Sequence, residues 1–217
     1  MTEIHNNSLK ENVYDFLKQS ILTCEMLPGQ TISEKDVMEQ LSVGRTPVRE
    51  ALLILQNEQL VEMFPRKGTI VKPITSKSVL ELFSLRKIIE PAVAVQFLHQ
   101  IDLLTLLEHD KKLKTVCTNN ARESILDFYK TDIAFHEYLI SCSANEKLIS
   151  VCQPLFLEGL RIGMYGVKTH TNRSCEETYT QHHQIVQAIL AEDAQAIRNT
   201  FIEHLNEAQI SALASLT

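Results

Sequence analysis

Hydrophobic positions recur at spacings of three and four along most of this chain, and two short stretches after residue 60 break the rhythm. Leu9, Val13, Phe16, Leu17 and Ile21 share one face of a helix that Ser8 can cap and that the Pro28-Gly29 turn signal closes off. Ser33 followed by Asp36 reads as a capping box for a short second helix, EKDVMEQL. A tight break at SVG leads into a third helix with Pro47 in its first turn, where a missing N–H costs nothing. Its inward face is Val48, Ala51 or Leu52, and Leu55, so Arg45, Arg49 and Gln56 point elsewhere. LVEMF and TIVKP are β-rich runs on either side of PRKG, which predicts a hairpin with a basic tip.

After KPITSKS the pattern is helical almost throughout. Candidate helices are 76–100, bent or interrupted near Pro91, then 102–119, 122–142, 145–165, 174–191 and 193–214, with GVKTHTNRS as the one long loop. Such a run implies an antiparallel bundle. The expected fold is mainly α: a winged helix-turn-helix with a small β-hairpin wing over 1–73, and an all-α antiparallel bundle over 74–217.

Composition narrows the setting. The 217 residues carry a formal net charge of -6, and they contain no apolar run long enough to span a bilayer. The opening MTEIHNNSLK has neither a basic nor an apolar leader region, so a cytoplasmic protein without a membrane partner is expected. Five cysteines, odd in number and widely spaced, argue against a disulfide framework and against a CxxC site.

The acidic average says little about nucleic acid, because a duplex feels charge only within a Debye length of about 8 Å. GRTPVR has two arginines and no acid, and PRKGTIVKP has Arg66, Lys67 and Lys72 and no acid. A helix-turn-helix presents the start of its second helix to the major groove, where arginine can grip guanine O6 and N7. Arg45 and Arg49, one turn apart, fit that task; Thr46 and the free N–H groups of the helix start can hold a phosphate. Arg66 and Lys67 on the wing can reach the flanking backbone or minor groove.

The bundle carries a second pattern. Asp132 and His136 form D-x-x-x-H on one helical face, among Ile125, Tyr129, Leu139 and Ile140, so the pair points inward and needs partners. His182 shares a face with Ile185, Val186 and Ile189, and His204 with Ile197, Phe201 and Ala208. If 174–191 and 193–214 form a hairpin, the two histidines lie roughly 14 and 17 Å from the turn at about 1.5 Å per residue, and can meet opposite Asp132 and His136. One aspartate and three histidines suit Zn²⁺, with Ni²⁺ or Mn²⁺ as alternatives. His183 is the rival for His182, on a less apolar face; His5, His99, His109 and His170 read as surface or terminal residues.

These segments also resemble a known family. PGQTISEKDVMEQLSVGRTPVREALLILQNEQLVEMFPRKGTIV looks like the winged helix of GntR-type bacterial transcription regulators, with Gly44 where that family usually has Ser or Thr and Gln59 in place of its usual Gly. By that resemblance Lys35, Arg45, Thr46, Arg49 and Gly68 fall where the family touches DNA. Residues 76–214 resemble the FCD ligand-binding domain of the FadR-type branch through R-x-x-I-E at Arg86 to Glu90, DIAFH at Asp132 to His136, HHQIVQAI at His182 to Ile189, and EHL at Glu203 to Leu205. The resemblance assigns the metal ligand to His182 and implies a divalent metal that helps hold a small carboxylate effector. It also suggests Arg86 as a residue of the effector cavity, a salt bridge to Glu90 being the alternative.

The reading is therefore a homodimeric, metabolite-responsive regulator that binds a palindromic operator in double-stranded DNA and is not an enzyme. Its rivals are a metal-dependent enzyme using the Asp/His₃ set, since such a set can activate water, and a DNA-binding protein whose bundle is purely structural.

Overall fold

Ser8 opens α1 (Leu9–Leu22) with a complete capping box: its side chain accepts from the Glu11 N–H, and the Glu11 carboxylate accepts from the Ser8 N–H at 2.7 Å. In this computed structural model residues 8–65, 68–118, 123–170 and 174–217 are described. The chain divides into two compact units, one ending at Ile74 and the other beginning at Thr75.

In the first unit, α1 is followed by β1 (Thr31–Ile32), α2 (Glu34–Leu41), α3 (Arg45–Asn57), β2 (Val61–Phe64) and β3 (Gly68–Val71). Val13, Leu17 and Ile21 of α1 bury completely, as do Val48, Ala51, Leu52 and Leu55 of the α3 face that packs against it. Each such aliphatic side chain contributes about 1.5–3 kcal/mol of burial. Ser33 caps α2 by accepting from the Asp36 N–H. Ser42 ends α2 in the left-handed conformation, φ +53, and Gly44 starts α3 without a side-chain cap. β2 and β3 form the expected hairpin, with Val61 opposite Val71 and Phe64 opposite Gly68. Two residues of β1 add a third strand on the other edge of β3, pairing Thr31 with Ile70. Sequence periodicity could not announce a strand of two residues.

The second unit is helical throughout its described residues: α4 (Ser76–Gln96), a 3-10 turn (Leu98–Gln100), α5 (Leu103–Thr118), α6 (Glu123–Ser141), α7 (Glu146–Lys168), α8 (Cys175–Leu190) and α9 (Ala194–Ala214). Two expectations need correction. Helix α4 is not interrupted at Pro91 and ends at Gln96 rather than at 100, where a 3-10 turn separates it from α5. Helix α7 continues past Tyr165 to Lys168, because Gly166 is buried in the bundle rather than free in a loop; left-handed His170, φ +57, follows its end.

Asp193 turns the chain between α8 and α9, accepting from the N–H groups of Gln195 and Ala196. The core joins Leu106 and Leu113 of α5, Phe128 and Phe135 of α6, Ile185 and Ile189 of α8, and Phe201 of α9. Helix α4 lies along α9, α6 along α7, and α5 between α6 and α8. That arrangement points residues of α4, α6, α8 and α9 toward one interior region.

Candidate functional site

Two regions gather the residues singled out by sequence. In the first unit the short α2 and the turn after it set the start of α3 at the surface. Arg45 and Arg49 are 64% and 53% exposed there, and Glu34 at the start of α2 lies between them. Its Oε2 accepts from Arg45 Nε at 3.0 Å and from Arg49 Nε at 3.2 Å. Partial burial works against the Glu34 carboxylate, but hydrogen bonds from both arginines outweigh it and hold the group below its ordinary range. A groove beside this cluster is lined by Arg45, Arg49, Gln56, Phe64 and Thr69, so the exposed face of α3 and the wing strands form one concave surface.

Thr46 is exposed on the first turn of α3. Lys35 is exposed and pairs with Glu39 at 3.5 Å. Gly68 has φ +101, a conformation that side-chain-bearing residues rarely adopt, so the wing turn needs glycine there. Arg66 and Lys67 lie outside the described residues. Sequence reasoning missed Glu34; the available signal was an acid opening the helix that precedes two arginines spaced by one turn.

In the second unit, Asp132 and His136 of α6, His182 of α8 and His204 of α9 converge. Each offers one ligand atom, and those atoms all lie within 4.8 Å of one another. The three imidazoles are buried, and Asp132 is 15% exposed. The His182 and His204 ring centroids are 4.3 Å apart, as the hairpin geometry requires.

The outer contacts orient each ring. His182 Nδ1 sits 2.8 Å from the Thr178 carbonyl, which can only accept, so the proton is on Nδ1 and Nε2 presents a lone pair. His136 Nδ1 lies 2.6 Å from Glu90 Oε2, a charge contact beside the N–H direction rather than along it. That carboxylate favours a proton on Nδ1 and leaves Nε2 of His136 facing inward. His204 Nδ1 lies 3.2 Å from the side-chain oxygen of Gln181. Inside this ring of partners, His136 Nε2 and His182 Nε2 are 3.2 Å apart, and Asp132 Oδ1 is 3.1 Å from His182 Nε2.

Two lone pairs and a carboxylate oxygen at that separation repel unless a proton or a metal ion lies among them. Burial, the largest effect on His136, lowers its affinity for a second proton, although Glu90 opposes this. The set could therefore hold a metal ion. In a tetrahedral site with metal–nitrogen bonds of about 2.0–2.1 Å, ligand atoms are about 3.4 Å apart, close to the separations of His182 Nε2 from His136 Nε2 and from Asp132 Oδ1.

Burial raises the carboxyls of Glu90 and Asp132, but Arg86 and, at the acidic pH where the carboxyls titrate, the protonated imidazoles overcome it. Arg86 and His136 hold Glu90 at about 2, and His182, with smaller effects from His136 and Arg86, holds Asp132 at about 2. Arg86 makes the salt bridge to Glu90: it is buried, its Nε donates to Glu90 Oε1 at 2.5 Å, and its side chain also lines a cavity. That cavity, about 70 Å³, reaches Asp132, Thr178, His204 and Ser211 as well. A Cβ at Gly159 would lie 3.5 Å from Arg86 Nη1, an ordinary contact.

His183 faces α5 instead, where its Nδ1 lies 3.1 Å from both oxygens of Asp110. His99 and His170 are exposed, as expected, and His5 lies outside the described residues. His109 corrects the expectation of a surface residue: it is half-buried and stacks on Tyr138 with ring centroids 5.0 Å apart. The sequence marks Glu90 only as a partner for Arg86; its contact with His136 depends on α4 packing against α6, which spacing within one helix cannot reveal.

Both units match known families. Residues 9–71 match the bacterial regulatory proteins of the gntR family, and residues 81–207 match the FCD domain. The chain is a GntR-family regulator with an FCD domain. It is 27% identical over 205 residues to the HTH-type transcriptional repressor RspR of Escherichia coli, covering 92% of this chain and 86% of that protein. It is 26% identical over 210 residues to an HTH-type transcriptional regulator of Streptomyces ambofaciens, covering 94% and 85%. These relatives are named as transcriptional regulators, not enzymes.

Among solved structures, a GntR regulator from Rhodococcus sp. RHA1 shares the regulator's fold with a TM-score of 0.77 at 23% identity, over 96% of this chain and 99% of that one. The Zn²⁺-bound FCD domain of TM0439 aligns with a TM-score of 0.52 at 21% identity, over 66% of this chain and 96% of that one. No helix among the described residues is long and apolar enough to cross a membrane.

Proposed function

We propose that this GntR-family regulator is a cytoplasmic homodimer that reads a palindromic operator in double-stranded DNA and adjusts its affinity to a small carboxylate metabolite. Residues 1–73 act as the DNA-reading unit, and residues 74–217 bind metal and effector and join the two subunits. Arg45 and Arg49 contact base edges, while Thr46, Lys35 and the backbone at Gly68 contact phosphate. Arg66 and Lys67, by their place in the sequence, reach the flanking backbone.

Asp132, His136, His182 and His204 hold a divalent metal, Zn²⁺ before Ni²⁺ or Mn²⁺. The observation that carries this reading is the approach of His136 Nε2 to His182 Nε2 at 3.2 Å, with an outer partner on the far nitrogen of each ring. The Zn²⁺-bound FCD domain of TM0439 is a precedent of the same fold. When bound, the metal supplies a Lewis-acidic centre for a carboxylate in the adjoining cavity, and Arg86 offers a second positive group. The effector changes DNA affinity only through a difference in its own affinity for the DNA-competent and incompetent arrangements.

The test is elemental analysis of the purified protein, repeated on His136→Ala and His204→Ala, with a thermal-shift panel of small carboxylates with and without chelator. About one divalent metal per chain, lost in both variants, and a carboxylate shift that needs the metal are expected. A protein that takes up no divalent metal at micromolar concentration and ignores every carboxylate overturns the ligand reading. Salt-sensitive operator retention tests the DNA reading separately.

A further inference from the structure

Two cysteines 58 positions apart meet where α5 ends and α8 begins. Cys117 lies in the last turn of α5, and Cys175 is the first residue of α8. The Cys117 thiol donates to the Cys175 carbonyl at 3.1 Å, which puts the Cys117 sulfur directly against the backbone of the other cysteine. Both are half-buried against the bundle core. Neither belongs to the Asp/His₃ set or to the DNA-reading unit, so the reading proposed above leaves this dithiol without a role.

We propose that Cys117 and Cys175 are a redox-modification site, which closes to an intramolecular disulfide by exchange with low-molecular-weight disulfides and staples the start of α8 to the end of α5. The Cys175 thiolate attacks one sulfur of the small disulfide, forming a mixed disulfide and releasing one small thiolate. The Cys117 thiolate then attacks the Cys175 sulfur and releases the second. Two protein thiols lose two protons and two electrons in total, and one small disulfide becomes two small thiols.

The order follows from position. Cys175 is the first residue of α8, where the helix dipole favours a thiolate, whereas Cys117 ends a helix. Burial pushes the Cys117 thiol up to about 12 and raises Cys175 in the same direction, so closure is slow near neutral pH. The same high pKa makes Cys117 a poor leaving group, and the closed bond is correspondingly slow to reopen. Cys175 lies one turn before Thr178, whose carbonyl holds His182 Nδ1 at 2.8 Å. Closure therefore anchors the helix end from which the His182 ring is oriented. The proposal stands whether or not a metal binds there.

The experiment uses the reduced full chain, equilibrated with oxidised glutathione at mildly alkaline pH, with thiols counted after denaturation and peptides mapped by mass. The thiol count is expected to fall from five to three, with one cross-linked peptide pair containing positions 117 and 175, reversed by dithiothreitol. The oxidised protein melts higher than the reduced one. Cys117→Ser is expected to keep a stable glutathione adduct on Cys175 and to show no cross-link. Glutathione adducts at 117 or 175 of the wild-type chain without the cross-link overturn the proposal. So does persistence of all five thiols, or a cross-link through Cys24, Cys142 or Cys152 instead; the wild-type map decides even if the variant does not fold.

Discussion

His136 and His182 present their Nε2 atoms to each other across 3.2 Å, although their helices α6 and α8 are separated in sequence and each ring is tied to a different outer partner. The contact is unfavourable between two neutral imidazoles in these tautomers and favourable around a cation. Removing either ring therefore changes what the bundle can hold more than how well it packs. His136→Ala or His204→Ala is expected to weaken divalent-metal binding about 100-fold or more, as read by isothermal titration calorimetry. Retained affinity in both variants places the metal elsewhere.

Glu90 has two duties: it neutralises buried Arg86 and faces His136 Nδ1. Glu90→Ala leaves the guanidinium buried without its carboxylate, which is expected to cost about 3–5 kcal/mol in urea unfolding. Metal affinity falls with it by about 10–100-fold, the effect of losing an outer partner. Unchanged stability would mean that Arg86 finds another anion.

On the DNA face, Arg45→Ala and Arg49→Ala are each expected to cost about 1–3 kcal/mol of operator binding and to relax specificity at one base position. Lys35→Ala should weaken all sequences alike and reduce the magnitude of the salt slope by about one. Equal losses on operator and random DNA for both arginine variants would make them phosphate contacts.

Glu34 gives a pH signature. Its folded carboxyl titrates below its ordinary value of 4.5 because Arg45 and Arg49 bond to the charged form. The stabilisation is thus complete above about pH 4.5 and is lost as pH falls through the lower folded value. Glu34→Gln is expected to flatten that acid limb of the stability curve and, by freeing the two guanidinium groups, to lower operator affinity several-fold at pH 7. A variant with an unaltered acid limb and unaltered affinity would show that the carboxylate merely accompanies the arginines.

Gly163 faces the ring of Tyr129, and a Cβ there would lie 2.3 Å from Tyr129 Cε1. Both residues line the cavity beside Arg86. Gly163→Ala is expected to displace the ring, cost about 1–3 kcal/mol by thermal melting, and change which carboxylates shift the melting temperature. An alanine accepted without loss would mean that Tyr129 moves freely.

Much of this architecture is legible along the chain, because local periodicity is written in adjacent residues. The α3 face of Val48, Leu52 and Leu55 is buried as the three-and-four spacing requires, and Asp132 and His136 share an inward face because a helix puts positions four apart together. The distances of His182 and His204 from the Asp193 turn let the two rings meet, which is local geometry too.

Contacts that depend on which helix lies beside which are not written this way. The spacing of Glu90 on α4 says nothing of His136 on α6, and nothing near Cys117 marks Cys175 as its neighbour. The two-residue β1 exists only because β3 offers it an edge, and Gly166 belongs to a helix only because the bundle buries it. Local patterning along the chain fixes the helices, the wing hairpin, the exposed arginines and the identity of the inward histidines. Tertiary packing alone decided their outer partners, the Glu34 bridge, the cavity at Arg86 and the thiol pair, because each depends on side chains from separate helices meeting at a distance of a few ångströms.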